Sequence, residues 1–152
     1  MAYIYGINKD TDVSLRKICL RSMINTTYVA ADYSNLAYQI VKHYHGHINV
    51  DLCFMILDCC CEHTFYINHF GLLTKELCQI NEKFVDIVEI TFIHCYIESD
   101  SFDSHKSNII AIYFAHLSRL NLIPFKLTAI LGKKSIYPNT SYFKIFKNLT
   151  YI

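Results

Sequence analysis

The chain has 152 residues, room for one domain built around a single core. Hydrophobic residues make up 53% and there are only 4 glycines and 2 prolines, which excludes disordered and collagen-like classes. The formal net charge of +1 argues against an arm-like nucleic-acid binder held by bulk charge alone.

Apolar residues recur at helical spacing along most of the chain. A first helix carries Leu15, Ile18, Cys19 and Met23 on one face, with Thr11 or Asp12 able to cap its start. A second is expected from Tyr33, capped by Asp32, through Leu36, Ile40 and Val41 towards a stop at Gly46. A third over Asn49 to Glu62 is apolar nearly all round and should be central. A fourth is expected over Thr64 to Ile80 with Gly71 inside it, a cost unless another helix approaches closely there. A fifth runs from Asn81 to about Ile97. Strand alternation competes over Glu89–Ile97, but the segment is long for a strand. Glu98 to Ser104 reads as a loop, and a sixth helix follows over His105 to Leu120. Pro124 opens a short seventh closed by Gly132, and Pro138 to Thr140 lead into an eighth. The expectation is an all-α domain of about eight helices, stacked as antiparallel hairpins.

No secretory signal is expected, because Asn8, Lys9, Asp10 and Asp12 interrupt the first apolar stretch. No apolar run reaches membrane-spanning length, so no membrane partner is expected. The seven cysteines, three of them adjacent, make a poor disulfide framework and fit a reducing compartment.

Catalytic and metal motifs are weak. His43, His45 and His47 alternate as zinc ligands can, but zinc needs a fourth ligand, and cations at a helix end are favourable anyway. Cys59, Cys60 and Cys61 point about a hundred degrees apart on a helix and cannot converge on one ion. No glycine-rich phosphate loop or nucleophile elbow is present. A metal- or thiol-dependent enzyme is therefore the third reading, and no cofactor is expected.

Charge is segregated: residues 1–50 carry +2, residues 51–104 carry −8 and residues 105–152 carry +7. Such asymmetry fits two different partners, or merely helix surfaces that differ. Lys133, Lys134, Lys144 and Lys147 are interleaved with Tyr137, Tyr142, Phe143, Phe146 and Tyr151. Lysines and aromatics in that arrangement can serve RNA or an acidic protein, or can be a solvated face over a core.

Several blocks carry a family resemblance. Leu52 to Cys60, reading Leu-Cys-Phe-Met-Ile-Leu-Asp-Cys-Cys, resembles the corresponding helix of MA-3 domains in the Cwc-twenty-two family of pre-mRNA splicing factors. Tyr66 falls on the family's tyrosine, Phe70-Gly71-Leu72-Leu73 on its aromatic-Gly-Leu-Leu, and Cys78 to Asn81 on the step that follows. Lys106, Ala111, Phe114-Ala115-His116-Leu117 and Pro124-Phe125 are similar to its later blocks, and Lys144 to Phe146 is a weaker echo of its closing helix. His69 stands where the family has an aromatic residue, and Phe65 where it has threonine.

The resemblance covers about residues 14 to 149. It implies an extension over residues 1–13 and a HEAT-like MA-3 domain over 14–152. It also implies a nuclear, non-enzymatic scaffold of the spliceosome that contacts spliceosomal proteins, spliceosomal RNA or pre-mRNA. Most motif residues, namely Asp58, Cys59, Cys60, Tyr66, Phe70, Gly71, Leu72, Leu73, Cys78, Phe114, Ala115, His116, Leu117 and Pro124, are expected to specify the fold. Asp58 should sit at an edge or bond a helix terminus, and His116 should be a core histidine satisfied by a backbone carbonyl. The candidate partner or RNA contacts are Asp32, Lys106, Lys133, Lys134, Lys144 and Lys147. Asp32 lies at the turn where other MA-3 domains present acidic residues to helicases. The family's contact to a DEAD-box helicase through a larger helical domain is not expected, since these residues include no counterpart of it. A nucleolar ribosome-biogenesis adaptor, which shares the Asp-Cys-Cys helix and the Ala-His-Leu segment, is the second reading.

Overall fold

Asn49 sets the start of the central helix. Its backbone is extended and its side chain accepts the Leu52 N–H, satisfying one of the donors that a helix start leaves open. The computed structural model describes residues 18–25, 32–43 and 49–123. Among these, six α-helices occur and no strand. Residues 18–25 form α1, followed by α2 (Tyr33–His43), α3 (Val50–Cys61), α4 (His69–Ile80), α5 (Lys83–Glu98) and α6 (Ser104–Arg119). The expected seventh and eighth helices, the stop at Gly46 and the cap at Thr11 or Asp12 lie outside the described residues. No helix of the described residues is long and apolar enough to cross a membrane.

The other ends follow local chemistry. Asp32 accepts the Asn35 N–H at 3.0 Å and caps α2. Asp103 does the same for α6, accepting the Lys106 N–H at 2.7 Å. Asn121, in the left-handed region at φ 61°, closes α6: its N–H reaches the Ser118 carbonyl, and the Leu122 N–H reaches that of Leu117. That pair of bonds is a Schellman end, with asparagine in the place glycine usually takes.

Two boundaries differ from expectation. The fourth helix begins at His69, not Thr64, because Tyr66 leaves the helical path to bond elsewhere. The loop expected over Glu98 to Ser104 contains a single 3-10 turn, Ser99–Ser101. The competing strand over Glu89–Ile97 is helix. Its buried residues Val88, Thr91, Phe92, Cys95 and Tyr96 step by three and one, the spacing of one helical face.

Packing links alternate elements. Helix α2 lies on α4, α4 on α6, and α3 on both α5 and α6. Ile56, Phe84, Phe92, Tyr113 and Phe114 are fully buried between them. Phe92 and Phe114 meet edge to face, centroids 5.1 Å apart at 70°, an arrangement favoured by the ring quadrupoles. Buried hydroxyls are paired: Thr74 Oγ1 donates to the Phe70 carbonyl at 2.8 Å and shares a 2.7 Å bond with the Tyr113 hydroxyl.

Candidate interaction surface

The motif residues divide into an interior set and a surface set. Cys59, Cys60, Phe70, Leu73, Cys78, Phe114, Ala115 and Leu117 are buried, and Leu72 is half-buried. All seven cysteines are free. Burial pushes the Cys53 and Cys61 thiols up to about 11 and Cys78 to about 12, and raises those of Cys59, Cys60 and Cys95 as well. Thiols held protonated in this way are poor nucleophiles and poor metal ligands. Cys59 and Cys60 lie inside while Cys61 reaches the surface, the divergence expected of adjacent positions on a helix.

Gly71, Tyr66 and His116 form one unit. Asn68, at the start of α4, makes no side-chain cap. The Tyr66 hydroxyl oxygen instead comes up against Gly71 in the first turn of the helix. That hydroxyl lies 2.6 Å from His116 Nδ1 on α6. A Cβ on Gly71 would stand 2.7 Å from the Tyr66 oxygen and closer still to the His116 ring. Glycine is thus required by close approach, and what approaches is a tyrosine–histidine pair as much as a second helix. His116 is therefore not bonded to a carbonyl as the sequence suggested; its partner is a phenol. The buried His69 does meet a carbonyl, its Nε2 lying 2.8 Å from the Ile24 oxygen. The His69 ring also packs on Tyr33 at 5.3 Å and Phe70 at 5.0 Å.

Burial lowers the pKa of both His69 and His116, and the Arg119 cation adds to the shift at His116. In the unfolded chain both imidazoles take a proton near pH 6.5, while the fold holds them neutral. Their contribution to stability is full above that pH and is lost as the pH falls towards the folded pKa values. The melting temperature should therefore drop between about pH 7.5 and about pH 5. A melting temperature that stays level over that range would show that neither ring is held neutral.

The surface set is smaller. Asp58 is exposed, on an edge of α3 next to its apolar stretch, and among the described residues it bonds no helix terminus. It lines two hollows with Phe54. One, of about 200 Å³, lies between α3, α5 and the start of α6; the other, of about 380 Å³, lies between α1 and α3. Lys106 lines the first, with Nζ 4.7 Å from the Phe102 ring centroid, a cation–π distance. Asp32 is exposed but its carboxylate caps α2. His43 ends α2 in the open, while His45, His47, Pro124, Lys133, Lys134, Lys144 and Lys147 lie outside the described residues. Sequence reasoning missed Phe54, His94 and Glu98. Residues from separate helices carry no shared signal along the chain, and only Asp58, a charge in the apolar stretch of α3, and Lys106 pointed here.

The chain has relatives in sequence. The chain is 31% identical over 102 residues to the pre-mRNA-splicing factor CWC22 homolog of Drosophila melanogaster, which covers 66% of this chain and 8% of that protein. It is 29% identical over 146 residues to the mouse CWC22 homolog, covering 93% of this chain and 16% of the relative. The human homolog is 29% identical over 135 residues, covering 86% and 15%. The chain carries a domain of the CWC22 type. It spans less than a fifth of the length of these CWC22 homologs. No family model matches.

Proposed function

We propose that this chain is a non-enzymatic interaction scaffold of the spliceosome, acting in pre-mRNA splicing in the nucleus. The observation that carries this reading is the 29% identity to the mouse pre-mRNA-splicing factor over 93% of the chain. Residues 14–152 are read as one HEAT-like MA-3 unit following an extension over 1–13. The contacts of α2 with α4, α4 with α6 and α3 with α5 support such a two-layer stack, in which alternate helices share a layer. Partners are spliceosomal proteins, with spliceosomal RNA or pre-mRNA a further contact for Lys106, Lys133, Lys134, Lys144 and Lys147. Asp32 is a weaker candidate for a partner contact, since its carboxylate is engaged in capping.

Affinity purification of the tagged chain from nuclear extract, with bound RNAs sequenced, tests this. Enrichment of spliceosomal small nuclear RNAs with core splicing proteins is the expected result. Recovery of pre-ribosomal RNA with nucleolar factors would replace the reading with that of a ribosome-biogenesis adaptor, and recovery of neither would overturn both.

A further inference from the structure

The exposed carboxylate of Asp58 on the central helix needs an explanation, because among the described residues no hydrogen bond or ion pair uses it. Asp58 faces solvent beside the half-buried Phe54, and among the described residues it makes no ion pair. The hollow on its α5 side has a floor of Phe54, Leu57, Cys95 and Ile110, with Glu98 opposite Asp58. At about 200 Å³ it has the size to seat one aliphatic or aromatic side chain, since an apolar cavity of about 150 Å³ already holds benzene. Lys106, the cation at this hollow, is drawn over the Phe102 ring.

The surface continues on both sides. Across Phe54 and Asp58 lies the larger hollow, to which Asp51 adds a third carboxylate and Ile18 an apolar wall that is 64% exposed. Its cation, Arg21, is already paired with Glu62. On α5, Ile90 and Ile97 stand exposed on either side of His94, whose ring meets Phe54 edge-on at 5.1 Å. Uncovered apolar area of this kind, beside carboxylates that outnumber the neighbouring cations Lys106 and Arg21, marks a surface for association.

We propose that the hollow between α3, α5 and α6 docks a partner polypeptide by one apolar side chain, with a neighbouring arginine or lysine held between Asp58 and Glu98. The sign of the rim selects the partner. Asp58 and Glu98 line this hollow and Asp51 the next, while Lys106 is engaged over Phe102 and Arg21 with Glu62; that balance favours a basic polypeptide over a phosphate backbone, and the apolar floor gives an anchor that a nucleic acid does not need. The inference rests on the scaffold reading for its purpose, but it is tested by direct binding, without splicing components.

The purified full chain is titrated against a set of short labelled synthetic peptides in which leucine, phenylalanine or methionine is set one to four residues from an arginine. The same set with glutamate for arginine, and a single-stranded oligouridine, are the comparisons. Fluorescence anisotropy should show binding by arginine peptides alone. The double substitution Asp58→Asn with Glu98→Gln should weaken it by at least about tenfold, and Phe54→Ala by a comparable factor. Both carboxylates are exposed, so the double variant should melt with the parent protein. Glu82→Gln, at the far end of α5, should bind as the parent does. Failure of the whole arginine set, equal binding by the glutamate set, an unmoved affinity in the double variant, or preference for the oligouridine would each overturn the proposal. Purification of small nuclear RNAs alongside any of those outcomes would leave the splicing reading standing while this surface fell.

Discussion

Phe114→Ala should be the most damaging single truncation in the described core, at about 3–5 kcal/mol. Phe114 is fully buried on α6 and meets Phe92 of α5 at 5.1 Å and its own neighbour Tyr113 at 5.1 Å. Truncation removes the ring's burial and leaves a cavity among side chains too fixed to fill it. For a domain of this size each kcal/mol moves the melting point by roughly 2–4 °C, so a fall of about 6–20 °C is expected. Phe65→Ala is the comparison, because Phe65 is 80% exposed and should change stability by no more than about 0.5 kcal/mol. Equal melting points for the two variants would contradict this account of the core.

Gly71 gives the second large effect, and its sign is diagnostic. In an ordinary exposed helix interior, alanine in place of glycine stabilises by about 1 kcal/mol. Here the new Cβ would meet the Tyr66 hydroxyl at 2.7 Å, so Gly71→Ala should destabilise instead. Gly71→Leu should do so more strongly, by about 1–3 kcal/mol from overpacking and about 1–3 kcal/mol more for hydrogen bonds left unmade. Thermal melting of both variants settles the matter. An alanine variant that melts above the parent would mean that the Tyr66–His116 pair yields without cost.

The same two residues show how far the sequence reaches. The spacing of Phe114, Ala115 and Leu117 marks a buried helical face, and they are buried. Asp32 and Asn49 announce helix starts by residue type, and both make the expected cap bonds. Gly71 announces a close approach, but the residue that approaches is set by tertiary structure. Tyr66 looked like part of a helix because Phe65, Tyr66 and Ile67 continue an apolar run. Its hydroxyl instead comes up against the first turn of α4 and bonds a histidine fifty positions away. His116 is expected to meet a backbone carbonyl and meets the Tyr66 hydroxyl instead, while His69, for which the sequence offers no partner, meets the Ile24 carbonyl. Asp58 was legible as an oddity, whereas Glu98, its counterpart across the hollow, lies forty residues on and has no local reason to be noticed.

The free thiols give the core a chemical property of its own. Cys53, Cys59, Cys60, Cys78 and Cys95 are buried and Cys61 is half-buried, all with their protons held more tightly than in water, while Cys19 alone is exposed. Alkylation or oxidation of the five buried sulfurs has to wait for a helix to lift away. Their modification rate is thus a clock set by opening of the fold rather than by the reagent, and damage at these positions would record how often the domain has come apart.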